Sequence, residues 1–175
     1  MSQLRVYNFG PRAGGAPRQL VIMLHGLGAD GRDLLGLAPE WAGDLPEALF
    51  ISPDAPFPCD MAPMGYQWFS LQEWSPESIL KGVQEAAPIL ADFIEGLQKK
   101  YGVPPARTAL VGFSQGTMMS LYVAPRLKEK IAGVVGYSGA LVWEDDADPA
   151  RLQKPPVMLI HGLVDPVVPV TAYYH

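Results

Sequence analysis

Short, strongly apolar segments recur along the 175-residue chain, and helical or glycine-rich stretches separate them. A segment that is apolar on both of its faces is typical of a parallel strand buried under helices on both sides. The sequence therefore predicts an α/β fold with a mostly parallel sheet, in which the turns at the carboxyl ends of the strands bind ligands. The predicted strands are residues 19–24, 48–51, 107–113, 131–137 and 157–160, with a short edge strand at 4–9.

Two long segments predict helices. The first begins at Ser-Pro-Glu (75–77), because serine caps a helix, proline suits its first position and an acid suits its first turn. It is expected to end at Tyr101, and Pro88 is expected to kink or split it. The second, residues 115–127, is apolar on most faces and is expected to be buried on several sides. A shorter helix is expected within residues 33–41.

Composition excludes several classes of protein. A hydrophobic fraction of 49% with 18% charged residues excludes a disordered chain. A net charge of −5 argues against an electrostatic nucleic-acid partner. The lone cysteine, Cys59, cannot form an intrachain disulfide and favours a reducing compartment. Since neither a signal peptide nor a transmembrane run is evident, we expect one cytoplasmic domain spanning residues 1–175.

The motif with the clearest chemistry is Gly112-Phe113-Ser114-Gln115-Gly116, a G-x-S-x-G sequence between a predicted strand and a predicted helix. Such a turn is sharp, so the residues beside the serine must be small. It lifts the hydroxyl clear of the sheet at a helix N-terminus. Ser114 is the predicted nucleophile, and the amide of Gln115 is a predicted oxyanion donor. The alternative is a glycine-rich turn that happens to contain a serine.

Two other turns follow predicted strands. His25-Gly26-Leu27-Gly28 has the form that supplies a second oxyanion donor, which we assign to the amide of Leu27. Asp165 follows the strand at 157–160 and fits the order serine, acid, histidine, in which the acid orients the histidine. The alternative for Asp165 is an ordinary Asp-Pro turn. His25 and His161 are both expected to be structural.

The segments VIMLHGLGADG, GFSQGTMMS and LIHGLVDPVVP, in this order, resemble the carboxylesterase/phospholipase family of α/β-hydrolases, which includes acyl-protein thioesterases and lysophospholipases. The resemblance covers the chain from Leu20 onward. It implies a serine hydrolase that cleaves carboxylic esters or thioesters of short-to-medium acyl substrates through an acyl-enzyme, without a metal or organic cofactor. It also implies that Leu27 and Gln115 supply the oxyanion hole.

The resemblance further implies that the segment after the third strand lines or covers the acyl site. Relatives often have an aromatic pair followed by aspartate there, whereas this chain has Trp68-Phe69-Ser70. The alternative is that these side chains only pack beneath a long irregular loop at 55–75. The candidate lining residues are Met61, Met64, Trp68 and Phe69.

Serine, histidine and acid form a catalytic triad in which the histidine is the general base. No histidine of this sequence is suitably placed for that role. In the family this histidine follows the acid by a few tens of residues, whereas His175 follows Asp165 by only ten and lies on the wrong element. The resemblance thus implies that the last helix-strand-helix of the fold is missing. A fragment, a truncation and completion by another chain are the alternatives.

Two consequences are expected from this. The chain alone should be nearly inactive, and the strand at 157–160 should be an exposed apolar edge that promotes self-association. An alternative function is a non-catalytic protein of this fold that binds an acyl ligand or a protein partner.

Overall fold

Eight strands and four α-helices are present in residues 3–173, the part of the chain that this computed structural model describes. Four short 3₁₀ helices complete the elements, at Pro105–Arg107, Ala124–Arg126, Pro149–Arg151 and Val170–Tyr173. The strands are β1 (Val6–Phe9), β2 (Gln19–Leu24), β3 (Ala48–Pro53), β4 (Phe57–Pro58), β5 (Tyr66–Gln67), β6 (Thr108–Phe113), β7 (Gly133–Tyr137) and β8 (Val157–Ile160). The α-helices are α1 (Arg32–Leu35), α2 (Ala38–Trp41), α3 (Pro76–Tyr101) and α4 (Gln115–Val123).

Six of the strands form one sheet in the order β1-β3-β2-β6-β7-β8. Only β1 runs antiparallel to its neighbour, and the other pairings are parallel, which confirms the predicted mostly parallel sheet. Because the carboxyl ends of parallel strands meet at one edge, the turns after β2, β6, β7 and β8 lie side by side.

Helices cover the two faces of the sheet unequally. Helices α3 and α4 pack with the larger hydrophobic cluster, whereas α1 and α2 pack with a smaller one over β2 and β3. Helix α3 contributes a buried stripe at a spacing of three or four residues, and each valine, leucine or isoleucine in it adds about 1.5–3 kcal/mol of burial. The residues of the stripe are Val83, Ala86, Leu90, Ile94 and Leu97.

Helix α3 begins and ends as predicted. The Oγ of Ser75 accepts a hydrogen bond from the amide of Ser78 at 3.1 Å, and Gly102 closes the helix with a φ of 65°. The predicted split at Pro88 is wrong, because the helix is continuous from Pro76 to Tyr101. Pro88 lies on the exposed side of α3, where solvent can satisfy the carbonyl that its missing N–H leaves unpaired.

Several other boundaries differ from the prediction. The helix expected at 33–41 is the pair of one-turn helices α1 and α2, and α4 gives way after Val123 to a 3₁₀ turn containing Pro125. The loop expected at 55–75 contains the small antiparallel hairpin β4–β5.

Strand β8 lies at the end of the sheet, and within residues 3–173 it pairs with β7 only. All four of its apolar side chains are exposed, by 42–61%. No helix in residues 3–173 has both the length and the apolar character needed to cross a membrane.

Candidate active site

A sharp strand-to-helix turn places Ser114 between β6 and α4, with a φ of 51° and a ψ of −112°. Such a conformation costs a residue other than glycine about 1–3 kcal/mol. The motif's glycines allow the turn to close. A Cβ on Gly112 would lie 2.5 Å from the amide nitrogen of Thr117, and one on Gly116 would lie 2.0 Å from the carbonyl oxygen of Leu24. The turn that the sequence predicted is therefore present.

The backbone groups of Ser114 are hydrogen-bonded, whereas the amide of the next residue is not bonded within residues 3–173. The amide of Ser114 donates to the carbonyl of Tyr137 at 2.8 Å, and its carbonyl accepts from the amides of Thr117 and Met118 at 3.0 and 3.1 Å. Within the described chain, the amide of Gln115 donates to no acceptor. As the first N–H of α4, it points along the positive end of the helix dipole and suits a negatively charged oxygen.

The turn after β2 is built around the fully buried side chain of His25. Its Nε2 accepts from the amide of Ala55 at 2.9 Å, so Nδ1 carries the proton and donates to the carbonyl of Gly26 at 2.7 Å. Burial lowers the pKa of His25, which keeps the ring neutral. Both ring nitrogens are occupied, and His25 is structural as expected.

This turn lies directly against Ser114. A Cβ on Gly26 would lie 3.4 Å from the Cβ of Ser114. Strand β5 holds the turn from the other side, because Gly28 donates to the carbonyl of Tyr66 at 2.9 Å and the amide of Tyr66 donates to Ala29 at 2.8 Å. The amide of Leu27 has no acceptor among residues 3–173. The geometry thus leaves two unpaired amides, those of Leu27 and Gln115, next to Ser114.

The side chain of Gln115 has a role that the sequence analysis missed. It is fully buried, its Oε1 accepts from the amide of Trp68 at 2.8 Å, and its Nε2 donates to the carbonyl of Phe69 at 2.7 Å. The indole N–H of Trp68 in turn donates to the carbonyl of His25 at 3.1 Å. One side chain thereby joins the Ser114 turn to the segment after β5. A lone side-chain amide in a largely apolar helix is the sequence signal, since a buried amide requires partners.

The four candidate lining residues separate into two groups. Trp68 and Phe69 are 0% and 3% exposed and belong to the main hydrophobic core. Met61 and Met64 are 57% and 79% exposed, at the tip of the β4–β5 hairpin. A role in lining the acyl site stays a prediction for all four residues.

Asp165 lies in the turn after β8, where backbone amides hold its carboxylate. Oδ1 accepts from the amides of Val167 and Val168, both at 2.9 Å. The amide of Val168 first, then that of Val167 and the hydroxyl of Ser138, lower the pKa of Asp165. The acid is therefore ionised at neutral pH.

The rings of both described histidines, His25 and His161, are hydrogen-bonded to groups other than Ser114. The Nε2 of His161 lies 2.6 Å from the carbonyl of Val168 and 3.6 Å from Oδ2 of Asp165, consistent with a structural role. His175 lies outside the described residues. No group of three or more side chains suited to a metal ion occurs in residues 3–173.

Comparison with known proteins finds relatives among esterases and thioesterases. The family model described as phospholipase/carboxylesterase matches residues 12–175. Acyl-protein thioesterase 1 of Aspergillus fumigatus is 34% identical over 85% of this chain and 67% of its own length. Esterase YpfH of Escherichia coli is 32% identical over 86% of this chain and 63% of its own length.

A solved structure gives the same result for the fold. The crystal structure of esterase PE8 superposes with a TM-score of 0.90 and 41% identity, covering 97% of this chain and 80% of that one. The α/β-hydrolase fold implied by the sequence motifs is confirmed.

Proposed function

Because this chain belongs to the phospholipase/carboxylesterase family and is thus an ester or thioester hydrolase, we propose that Ser114 is its nucleophile. The observation that carries this proposal is the arrangement around the serine. Ser114 stands on a strained turn with the free amides of Leu27 and Gln115 beside it. A strained residue between two unpaired donors suits covalent chemistry on a carbonyl group.

In the proposed reaction, Oγ of Ser114 attacks the acyl carbonyl carbon while a general base takes the hydroxyl proton. The amides of Leu27 and Gln115 bind the negative oxygen of the tetrahedral intermediate, and each such donor is typically worth about 2.7–4 kcal/mol. Collapse of the intermediate expels the alcohol or thiol, and water then hydrolyses the acyl-enzyme. Asp165 orients the protonated base and stabilises its charge.

The proposal does not take the base from His25 or His161. The ring of His25 is neutral and bonded at both nitrogens, and the Nε2 of His161 is bonded to Val168. We therefore expect residual turnover from the 175-residue chain, supplied by the oxyanion donors alone. Imidazole added to the buffer can act as an external base beside Ser114, so it should raise turnover.

The proposal extends to the substrate class, the domain organisation and the cellular compartment. We propose acyl groups of short to medium length, with the exposed Met61 and Met64 at the entrance to the site. The six-stranded sheet runs through the chain from β1 to β8, which supports a single domain over residues 1–175. The free thiol of Cys59 supports a reducing, cytoplasmic setting.

The test combines labelling with turnover. With imidazole present as the base, a fluorophosphonate probe should label the wild-type chain and the Ser78→Ala variant, whose serine lies on α3, but not Ser114→Ala. Hydrolysis of a p-nitrophenyl ester should rise with imidazole in the wild type, after subtraction of the rate given by Ser114→Ala in the same buffer. Turnover near the enzyme median of about 10 s⁻¹ that survives Ser114→Ala would show that another group is the nucleophile.

If wild-type turnover without imidazole is already that fast and requires Ser114, the expected absence of a working base is wrong. The His175→Ala variant then shows whether that residue supplies it. Acyl-ligand binding with no labelling of Ser114 would favour the non-catalytic alternative.

A further inference from the structure

Among residues 3–173, Trp68 has the largest side chain that is completely buried. It follows directly after β5, and its ring lies beside that of His25, with the two ring centroids 6.2 Å apart. A buried indole usually donates its N–H to a hydrogen-bond partner. The hydrogen bonds of Trp68 lead to both of the turns that carry the proposed oxyanion donors.

The indole of Trp68 holds the turn after β2. Its N–H donates to the carbonyl of His25 at 3.1 Å, in the peptide group that joins His25 to Gly26. The next peptide group carries the amide of Leu27, and its carbonyl, that of Gly26, accepts from Nδ1 of His25 at 2.7 Å. Gly26 between these two groups would otherwise allow either of them to rotate, because glycine restricts its backbone least of all residues. The direction of the Leu27 N–H therefore depends on both hydrogen bonds.

The backbone of Trp68 holds the Ser114 turn. Its amide donates to Oε1 of Gln115 at 2.8 Å, and the carbonyl of the next residue, Phe69, accepts from Nε2 of Gln115 at 2.7 Å. The backbone amide of Gln115 is the other proposed oxyanion donor. Because Gln115, Trp68 and His25 are all fully buried, water does not compete for these hydrogen bonds, which are stronger in such surroundings. Trp68 thus bonds directly to the residue of one donor and to the turn of the other.

Backbone packing limits the same two turns from the opposite direction. A Cβ on Gly116 would lie 2.0 Å from the carbonyl oxygen of Leu24 and 2.9 Å from that of His25, so the start of α4 lies against the turn after β2. This contact prevents a closer approach, whereas the hydrogen bonds of Trp68 resist separation and rotation. Packing alone does not fix the direction of an N–H, because a hydrogen bond is directional and van der Waals contact is not.

We propose that Trp68 is a positioning residue, which fixes the amides of Leu27 and Gln115 at one spacing by hydrogen-bonding to both turns. The proposal rests on the proposed function, because these amides serve as an oxyanion hole only if Ser114 attacks a carbonyl group. An oxyanion hole requires donors that are aimed at the oxygen before the reaction begins, since reorientation would cost part of their benefit. Trp68 acts through the two amides and needs no contact with the substrate, which separates this role from lining the acyl site.

Trp68→Phe keeps an aromatic ring in the core and removes the indole donor, so the carbonyl of His25 loses its partner. With imidazole as the base, kcat for a p-nitrophenyl ester should fall about tenfold or more, up to the roughly 10²–10³-fold that loss of a whole oxyanion donor typically costs. KM should stay unchanged, because the two amides bind the intermediate and not the ground-state ester. A raised KM at unchanged kcat would mean that Trp68 lines the acyl site, which overturns the proposal.

Two matched changes separate the hydrogen bond from packing. Leu90→Ala, in the same hydrophobic cluster but on α3, removes packing and leaves the hydrogen bonds of Trp68 in place, so kcat should stay at the wild-type level while the melting temperature falls. Replacement of Trp68 by 3-benzothienylalanine, in which sulfur takes the place of the indole N–H, keeps the ring shape and removes only the donor. It should lower kcat, and it serves in place of Trp68→Phe if phenylalanine prevents folding. An equal loss of kcat in Leu90→Ala, or no loss with the benzothienyl residue, overturns the proposal.

The proton NMR shifts of the two amides give a readout that lowered stability alone would not move. In the fluorophosphonate adduct of Ser114, a phosphonyl oxygen takes the place of the oxyanion, so the N–H protons of Leu27 and Gln115 should both shift downfield in the wild type. In Trp68→Phe the shift of Leu27 should be much smaller, whereas that of Gln115 should persist because α4 still holds its amide. A full Leu27 shift in this variant overturns the proposal.

Failure of the proposed function gives a different result. A wild-type chain with no labelling of Ser114 and no imidazole-stimulated turnover contradicts the proposed nucleophile, and the positioning role of Trp68 fails with it. If the wild type is labelled and shifts both amides, then a full Leu27 shift or an unchanged kcat in the Trp68 variants contradicts the role of Trp68 alone.

Discussion

The buried side chain of Gln115 offers the sharpest test of how the site is held together. Its two hydrogen bonds satisfy the amide of Trp68 and the carbonyl of Phe69, and the residue is fully buried. Gln115→Ala leaves both backbone groups buried without partners and adds a cavity. Gln115→Met leaves the same two groups unpaired but keeps most of the side-chain volume.

The expected loss follows from these two groups. Each unsatisfied buried donor or acceptor costs about 1–3 kcal/mol, so Gln115→Met should lower the free energy of unfolding by about 2–6 kcal/mol. Gln115→Ala should lose more, because a cavity in a packed core adds its own cost. Against a total stability of about 5–15 kcal/mol for a typical domain, this is a large fraction.

Urea unfolding followed by far-ultraviolet circular dichroism measures the loss, with the midpoint and slope compared between the two variants and the wild type. Fluorescence of the four tryptophans should report the same transition, since Trp68 is directly bonded to Gln115. A cost below about 1 kcal/mol for Gln115→Met, at an unchanged slope, would show that the two backbone groups find other partners. The reasoning that Gln115 holds the segment would then be refuted.

Three further outcomes are expected. Gly116→Ala should cost about 1–3 kcal/mol or more by overpacking, since its Cβ would lie 2.0 Å from a backbone oxygen. Gly96→Ala, with nothing within 4 Å of its Cβ, should instead gain up to about 1 kcal/mol of helix propensity, and equal effects of the two in urea unfolding would contradict this. Burial lowers the pKa of His25, so at about pH 6 the unfolded chain protonates this imidazole while the folded chain keeps it neutral. The contribution of neutral His25 to stability is therefore present above pH ~6.5 and declines as the pH falls below that value. His25→Gln should flatten the fall in unfolding free energy over this pH range, and an unchanged slope would count against the reasoning. The exposed apolar edge at β8 should make the chain self-associate as its concentration rises, as measured by sedimentation velocity, and Met158→Lys should suppress this association. A wild-type chain that is monomeric at every concentration would disprove the prediction.

The parts of the fold that follow from local pattern were predictable. The continuous apolar runs located the central strands, and Gly112 and Gly116, two positions either side of Ser114, indicated the sharp turn that the structure contains. The parallel order then placed the turns after β2, β6 and β8 at one edge. Each of these inferences depends on neighbours within a few positions of the chain, where sequence patterns carry most information.

The remainder depends on contacts between distant segments. Pro88 does not split α3, because the buried stripe continues on both sides of it and packing outweighs one lost hydrogen bond. The pairing of Gln115 with residues 68 and 69 spans more than 40 positions. The lone side-chain amide in α4 signals a need for partners, but nothing near it in the sequence shows which distant segment supplies them.

The β4–β5 hairpin has one part that is bonded to the turn after β2 and another part that is exposed to solvent. Near its base, backbone bonds hold Tyr66 to the turn after β2, and at 2.9 Å the amide of Cys59 donates to the carbonyl of Gly65 to close the tip. Met61 and Met64 project from that tip into solvent. Gly65 packs against Gly28, since a Cβ on Gly65 would lie 2.1 Å from the carbonyl oxygen of Gly28. Substitutions at Met61 and Met64 should therefore leave the turn after β2 in place, whereas a substitution at Gly65 should displace it. If Met61 and Met64 form the entrance as proposed, substrate selectivity can change there without changing the proposed oxyanion donors.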